Sequence, residues 1–413
     1  MSSQIRLCWN WAVRTVQSLD DESDYFRPTD YGLVAAGIQI RSKSPTLRFL
    51  FRLYHALLFL LYFICVDRVY VYVAERDFSP DCIATFTVMI EMFTLMAQVR
   101  VVGLYRAELD RVRDYLRSRL NGDRSEERTR SYRLICRIVV YFELFNIVDQ
   151  IVIFLLGIFN QPMYEVPKNL LQKGYFIDLI IHHVNAINNV LVTNLFVGFI
   201  TIVNNYMMAF RTELKSIAAD LAVIFDRVDR DIEGTGAEAD KELYLLVALK
   251  RELCSIAERH SELLIQLDHI KGFFKWSVFC LFYGQLMATA TGLFYINILG
   301  LTMNTVVLIS YFCAVILECY WFCRLVDTMN DANERIGDTL YSLDWPQRLR
   351  YRGVDDSQRE YREIRASMLT VMINSRNNLG ISCGGLFIMS AEAFADFVKL
   401  VYQSTMFLLN MVQ

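Results

Sequence analysis

The sequence predicts an all-α polytopic membrane protein with seven transmembrane helices, a cytoplasmic amino terminus, an extracellular carboxyl terminus and a cytoplasmic helical anchor domain. Hydrophobic residues make up 54% of the 413 residues, and they concentrate in seven segments long enough to cross a bilayer. The stretches assigned to the cytoplasm carry 33 Lys and Arg, whereas those assigned to the exterior carry three. Because Lys and Arg accumulate on the cytoplasmic side of membranes, this asymmetry orients the chain.

Seven apolar segments provide the predicted spans. In chain order they are residues 50–73, 82–104, 134–159, 175–208, 273–298, 303–323 and 386–412. An odd number of spans places the two termini on opposite sides of the membrane. The orientation is the reverse of that of a G-protein-coupled receptor and argues against that class.

The spans and loops divide the chain into six regions. These are a cytoplasmic amino-terminal segment (1–48), transmembrane helices 1–4 (49–210), cytoplasmic extensions of helices 4 and 5 (211–272), transmembrane helices 5–6 (273–323), a cytoplasmic anchor region (324–385) with an amphipathic helix at 357–377, and a last transmembrane helix (386–413).

The long interior loops are helical in pattern. Apolar residues recur every three or four positions from Leu214 to Ile224, so the fourth span is expected to continue through residues 210–223. Gly234-Thr-Gly236 marks a flexible linker, and the amphipathic run 237–274 leads into the fifth span without a breaker. The fourth and fifth spans are therefore expected to extend into the cytoplasm as one helical hairpin.

The amphipathic helix at 357–377 has an apolar stripe that needs a partner. One interpretation packs the stripe on its own chain or on the membrane surface. The other places it in a subunit-contact domain together with the hairpin. The predicted subunit contacts are Tyr341, Trp345, Tyr361, Ile364, Met368 and Met372.

Enzymatic and metal-binding functions find no support in the sequence. It contains no nucleotide-binding loop, no His-Glu-x-x-His zinc spacing and no catalytic carboxylate pair that can be placed together. Cys319 and Cys323 share a helical face but lack further ligands, so they are expected to pack as small hydrophobes. We expect no cofactor, no metal and no nucleic-acid partner.

Motifs toward the carboxyl terminus are more specific. Tyr341-Ser-Leu-Asp-Trp345 precedes the amphipathic helix, and Gly384-Gly-Leu-Phe-Ile-Met-Ser-Ala-Glu-Ala-Phe394 opens the last segment. A weaker motif, Glu258-Arg-His260-Ser-Glu-Leu-Leu-Ile, lies before the fifth span. These runs, in this order, resemble the insect odorant receptor family.

The resemblance implies an odorant-gated, non-selective cation channel subunit in a tetramer whose pore is lined by the last helix. The connection between the fourth and fifth spans is short, which is typical of an odour-tuning subunit rather than the co-receptor. The implied partners are an odorant co-receptor in a heterotetramer, a small volatile organic ligand, membrane lipid, and permeating monovalent and divalent cations. The implied location is the plasma membrane of the dendrites or cilia of olfactory sensory neurons.

The same resemblance assigns the pore and gate to the last helix. The predicted pore and gate residues are Ser404, Leu408, Leu409 and Asn410, with Leu408 the first choice for the gate and Leu409 the second. A ring of apolar side chains closes such a pore by excluding water. The alternative, that Leu408 faces lipid or packs within its subunit, remains open. Glu392 and Asp396 either face the pore or pair with Lys399.

An odorant site needs an apolar cavity with few polar anchors. The family places this cavity in the outer half of the subunit, among helices two to six. Transferred by depth, the candidate ligand contacts are Phe86, Met89, Phe93, Phe145, Val148, Val152, Phe176, Leu179, His183, Met287, Thr291 and Val307. Each of them is also a plausible helix-packing residue.

Two other functions were compared with this one. A gustatory-receptor-like channel shares the topology but ends in a Thr-Tyr-(apolar)-Gln-Phe signature, where this chain has Ser404-Thr-Met-Phe-Leu-Leu-Asn410. A secondary transporter is expected to contain an internal repeat and Gly- or Pro-broken spans at matching positions, which the sequence lacks.

Overall fold

A computed structural model gives the fold. It describes Phe26, Asp30, Trp345 and residues 44–75, 80–122, 126–155, 174–233, 241–300, 303–343 and 355–412. The helices are α1 (Pro45–Ala74), α2 (Pro80–Leu104), α3 (Arg106–Gly122), α4 (Glu126–Leu155), α5 (Tyr175–Ala222), α6 (Ile224–Glu233), α7 (Lys241–Leu299), α8 (Met303–Ser342), α9 (Asp355–Arg376) and α10 (Ala391–Val412). Strands β1 (Ser382–Cys383) and β2 (Phe387–Ile388) pair antiparallel between α9 and α10.

Three of these helices are longer than a membrane is thick. With 48, 59 and 40 residues, α5, α7 and α8 extend about 72, 88 and 60 Å at a rise of 1.5 Å per residue, whereas the hydrocarbon core is about 30 Å. Each is therefore too long to lie wholly within the hydrocarbon core of a bilayer. The predicted continuation of the fourth span to residue 223 and the unbroken run into the fifth span are both confirmed.

The predicted helical hairpin is visible in the contacts between α5 and α7. The Asp220 carboxylate of α5 accepts a hydrogen bond from Arg259 of α7 at 2.7 Å and another from Arg227 of α6 at 2.5 Å. Leu214, Ile217 and Leu221, which belong to the apolar repeat of the sequence, are fully buried in the hydrophobic core. The apolar periodicity in the sequence therefore identified the packed face of this extension.

Helix α7 is the central element of the fold. It packs against α2, α5, α6, α9 and α10, and buried aromatic side chains occupy its middle, among them Phe273, Phe274 and Phe294. Gly292 allows one of these close approaches, because a Cβ at this position would lie 1.9 Å from the Phe312 ring of α8.

By length and hydropathy alone, three of the described helices can cross a membrane. They are Pro45–Ala74, Cys82–Leu104 and Tyr244–Ile298. The chain is thus a polytopic helical membrane protein, and the count of seven spans and the orientation of the termini stay predictions. Helix α10 carries Glu392, Asp396 and Lys399, so it does not have the composition of a lipid-facing span.

The last apolar segment begins differently from its prediction. Instead of a helix from residue 386, residues 382–388 form the β1–β2 hairpin, and α10 starts at Ala391. Gly384 and Gly385 have φ values of +61° and +86°, a region that glycine enters without steric strain. The two adjacent glycines therefore turn the chain where hydropathy alone predicted helix.

Helix α9 lies close to its predicted bounds, and its apolar stripe packs on its own chain. Ile364 is 0% exposed and Met368 is 4% exposed, both within the core formed with α7 and α8. Tyr361 and Met372 pack against the same core. This placement favours the interpretation in which the stripe is satisfied within the subunit, so Ile364 and Met368 offer no surface to a neighbour.

The opposite side of α9 is available for contacts. Leu369 and Ile373 are 50% and 62% exposed, although a soluble helix face normally carries polar residues at such positions. Of the other predicted contacts, Tyr341 is exposed and Trp345 packs partly against the core. The exposed apolar residues of α9 therefore lie on a different face from the stripe that the sequence predicted as a subunit contact.

Candidate functional site

Helix α10 has one packed face, which contacts α7 and α8. Ala393, Phe397 and Val401 are buried along it. The Phe397 ring lies 4.7 Å from that of Phe282, and Thr405 Oγ1 lies 3.5 Å from the carbonyl oxygen of Ala290. The last helix is therefore fixed to α7 over most of its length.

The opposite face of α10 is a polar stripe. Its members are exposed and follow one another at intervals of three, four or seven residues: Glu392, Asp396, Lys399, Gln403 and Asn410. Lys399 Nζ donates a hydrogen bond to Asp396 Oδ1 at 3.0 Å. The two charged groups therefore pair with each other while both remain exposed. A polar face on a helix otherwise surrounded by apolar segments indicates contact with water or with a polar neighbour.

The predicted gate residues occupy different faces of α10. At about 100° per residue, Leu408 lies about 20° from Phe397 and so on the packed face, while Leu409 lies about 120° away. Both are half-buried, as is Ser404, and Asn410 belongs to the polar stripe. This placement favours the alternative in which Leu408 packs within its subunit. Phe407, 62% exposed, and Met406 flank the stripe between Gln403 and Asn410.

The amino-terminal end of α10 is held by two side chains. Ser390 Oγ accepts the backbone N–H of Ala393 at 3.2 Å, as an N-cap serine does. Asp327 Oδ2 accepts the backbone N–H of Ala391 at 3.0 Å. A carboxylate is favourable at this position, because the unpaired N–H groups give a helix amino terminus a partial positive charge.

Asp327 is the first of three polar residues spaced three apart on α8. Asn330 Oδ1 accepts the backbone N–H of Leu379 at 3.1 Å. Asn333 Nδ2 donates to backbone carbonyls at the end of α9, with the carbonyl of Ser375 at 2.9 Å. One face of α8 therefore holds the end of α9, the segment before the hairpin and the start of α10.

The Asn333 side chain also contacts His260, and both are buried. His260 Nε2 lies 2.9 Å from Asn333 Oδ1. Because the Asn333 amide nitrogen faces carbonyl oxygens, its oxygen faces the ring, and His260 must donate from Nε2. The motif residue His260 thus ties α7 to α8 and, through Asn333, to α9.

Charged residues join α7 to α9 at the surface. Lys250 pairs with Glu363 and lies 3.5 Å from Glu360, and Arg359 Nε donates to Glu363 at 3.1 Å. The hydrogen bonds from Lys250 and Arg359 lower the pKa of Glu363. These contacts are partly exposed to solvent, so each contributes little to stability and their main effect is to orient α9.

The described candidate ligand contacts range from buried to exposed. Thr291 is buried, and its hydroxyl accepts a hydrogen bond from that of Thr87 at 2.7 Å across the α2–α7 interface. Phe86 and Met89 are half-buried, whereas Phe93, Val148, Phe176, Leu179 and Met287 are exposed. Phe145, Val152, His183 and Val307 lie outside the residues whose side chains the structure describes.

Two buried polar residues of α7 were not singled out by the sequence. Gln285 and Thr289, one turn apart, are 4% and 0% exposed. Gln285 Oε1 and Thr289 Oγ1 have no hydrogen-bond partner among the described residues. Buried polar atoms are normally paired, so these two are candidates for a contact with a ligand or an ordered water. In the sequence, Gln285 and Thr289 cannot be distinguished from other single polar residues within an apolar span.

These features define a class of polytopic helical membrane protein. Its final helix has a polar exposed face, and the amino-terminal end of that helix is bonded to a long neighbouring helix. Residues 80–402 match the family described as 7tm Odorant receptor. The chain belongs to this odorant receptor family and is a receptor rather than an enzyme.

Solved structures share the fold. The insect olfactory receptor OR5 from Machilis hrabei in complex with eugenol aligns with a TM-score of 0.67 at 10% identity, covering 94% of this chain and 100% of that one. The structure of OR5 without a named ligand aligns with a TM-score of 0.68 at 11% identity and the same coverage. A search of curated proteins found no match.

Proposed function

We propose that this chain is an odour-tuning subunit of an odorant-gated, non-selective cation channel, and that it assembles with a co-receptor into a tetramer around the last helices. The observation that carries the proposal is the polar stripe of α10, which runs from Glu392 to Asn410 opposite the packed face. A hydrated pathway for cations needs polar side chains at intervals along its wall, and acidic residues at its entrance concentrate cations.

In this arrangement Glu392 and Asp396 lie at the cytoplasmic mouth, because α10 begins at Ala391 and the amino terminus of the chain is proposed to be inside. The gate is formed by Phe407 with Met406, two exposed apolar residues that flank the stripe between Gln403 and Asn410. Apolar rings of this kind close a pore by excluding water from its narrowest part.

The proposed ligand is a small volatile organic molecule, in keeping with the family and with the eugenol bound to OR5. Gln285 and Thr289 provide its polar anchors, and the apolar residues around α2 and α7 provide the surface that it buries. Replacing Thr289 with Val keeps the shape and removes the hydroxyl. We expect responses to odorants with an oxygen atom to weaken while responses to hydrocarbons persist.

The experiment for the proposal is a recording from cells that express this chain with and without the co-receptor, under a panel of volatile odorants that includes eugenol. We expect an odour-evoked inward current, carried by Na⁺ and Ca²⁺, when this chain is expressed with the co-receptor, and none in response to the same odorants from the co-receptor alone. Absence of any odour-dependent current at normal surface expression across the panel would count against channel function.

The proposed orientation has its own test. A peptide tag after Gln413 is expected to bind antibody on intact cells, because the carboxyl terminus is proposed to be extracellular. A tag that is stained only after permeabilisation would reverse the topology and remove the cytoplasmic assignment of the α5–α7 hairpin. In its native setting we propose the dendritic or ciliary membrane of olfactory sensory neurons.

A further inference from the structure

A groove of about 860 Å³ lies between α1, α2 and α5, apart from the proposed ligand site. Phe51 and Phe59 border it on α1, Met92 and Leu104 on α2, and Leu195 on α5. It shares no residue with the twelve candidate ligand contacts or with Gln285 and Thr289. It is therefore a separate apolar site.

The groove has the length and depth of one membrane leaflet. Along α2 it extends from Met92 to Leu104, which is about 18 Å at 1.5 Å per residue, and one half of the hydrocarbon core is about 15 Å thick. Under the proposed topology, which this inference takes as its basis, the second span runs inward. The groove then lies in the cytoplasmic half of the membrane.

The outer side of the groove is apolar, and the described residues leave it uncovered. Only 6% of the most apolar stretch of α1 is buried within the chain, and Leu50, Leu53 and Phe63 are exposed beside the groove. Apolar side chains in such positions face acyl chains in a membrane protein. A lipid molecule thus reaches the groove sideways from the bilayer.

The cytoplasmic end of the groove is cationic. Arg100 lines this end, His55 lines the groove one turn deeper than Phe51 on α1, and Arg48 lies two turns before His55 on the same side of α1. Arg100 is exposed at the end of α2, so its guanidinium can reach the headgroup level while its stem follows the apolar wall. None of the described residues that line the groove is Asp or Glu. The site is therefore complementary to an anion attached to an apolar chain.

We propose that this groove binds an anionic phospholipid of the cytoplasmic leaflet, with one acyl chain between α1 and α2 and the phosphate against Arg100 and His55. Basic sites at the cytoplasmic ends of transmembrane helices select anionic headgroups over zwitterionic ones. The bound lipid links α1 to α2 and α5. Among the described residues, α1 also meets these helices at Leu58, Leu95 and Leu195, and Tyr62 and Cys65 pack against Val88 and Met92.

Photo-crosslinking tests the proposal directly. The full chain, purified with its co-receptor, is placed in phosphatidylcholine vesicles that contain phosphatidylserine with a diazirine on its acyl chain. Irradiation is expected to label residues 51–59 and 92–104, as mapped by mass spectrometry. Unlabelled phosphatidylserine is expected to compete, and diazirine phosphatidylcholine is expected to label these residues much less.

Two variants address the two parts of the site. Arg100→Gln removes the headgroup contact and is expected to lower the apparent affinity about fivefold, the ratio that corresponds to about 1 kcal/mol. Gly103→Phe fills the groove, because a Cβ at Gly103 meets no atom within 4 Å, and is expected to abolish labelling. Arg106→Gln and Val73→Phe are the matched controls outside the groove.

Equal labelling by the two lipids, or unchanged labelling in both Arg100→Gln and Gly103→Phe, would overturn the proposal and leave only general lipid contact. If the Gly103→Phe variant does not fold, the Arg100→Gln variant, which changes an exposed residue, still tests the proposal. The assay needs neither an odorant nor a current. A chain that binds lipid here but does not conduct would refute the proposed function alone.

Discussion

The carboxylate of Asp327 accepts a hydrogen bond from the backbone N–H of Ala391 at 3.0 Å, and so joins α8 to the first turn of the last helix. Helix α8 continues without interruption from Met303 to Ser342, so a shift of its membrane part is carried to this contact. If α10 lines the pore, the Asp327 contact is a route by which a displacement of α8 reaches the pore helix.

Replacing Asp327 with Ala is expected to reduce odour-evoked current at unchanged surface expression, because the helix loses an N-terminal acceptor worth about 0.5–2 kcal/mol. Asp327→Asn keeps an acceptor oxygen and is expected to retain most of the current. The control is Asp331→Ala, an exposed carboxylate one turn further along α8. Equal currents from Asp327→Ala and Asp331→Ala would exclude a coupling role.

The buried pair His260 and Asn333 is expected to govern stability. Asn333→Leu leaves the carbonyls at the end of α9 without their donor, at a cost of about 1–3 kcal/mol for each buried group left unpaired. Thermal denaturation followed by size-exclusion chromatography is expected to show a lower melting temperature for this variant and for His260→Leu. The exposed His269→Leu on the same helix is the control, and a loss of equal size there would contradict the assignment.

The two faces of α9 are expected to respond differently to charge. Ile364→Asp buries a carboxylate without a partner, at about 3–5 kcal/mol, and should lower the yield of folded subunit. Leu369→Asp, on the exposed face, is expected to leave the yield unchanged and to reduce co-purification with the co-receptor. Normal co-purification of Leu369→Asp and Ile373→Asp would remove α9 from the subunit contact.

The gate proposal predicts different effects for substitutions at the neighbouring residues Phe407 and Leu408. Phe407→Ser is expected to hydrate the constriction and raise the ratio of basal to odour-evoked current. Leu408→Ser, on the packed face, is expected to lower surface expression without raising that ratio, and Leu409→Ser provides an intermediate position. The opposite pattern, with leak from Leu408→Ser alone, would return the gate to the residue that the sequence suggested.

Sequence periodicity predicted much of the fold. The repeat from Leu214 to Ile224 identified the extension of α5, since apolar spacing on one face reports burial directly. It could not predict the β1–β2 hairpin, because its two glycines lie in a segment as apolar as a span. It also missed the contacts of Asn333 and Asp327, whose partners are more than forty residues away along the chain.

The candidate site was harder to predict than the fold. Depth along a helix placed Thr291 and Phe93 equally well as ligand contacts, but the structure buries the first and exposes the second. Which face a residue occupies depends on how α2 and α7 cross, and one sequence does not contain that information. The polar stripe is different, because its residues recur at helical spacing within one segment and can be recognised once the packed face of α10 is known.

The central claim is that the polar face of α10 lines a cation pathway, and cysteine accessibility at Gln403 tests it most directly. Gln403→Cys, expressed with the co-receptor, is treated with a positively charged thiol reagent during odour application, and Thr405→Cys on the packed side and the unmodified chain are treated alongside. We expect the reagent to reduce odour-evoked current in Gln403→Cys only. Unchanged current in that variant, with the reagent shown to label the introduced thiol on the purified complex, would contradict the claim.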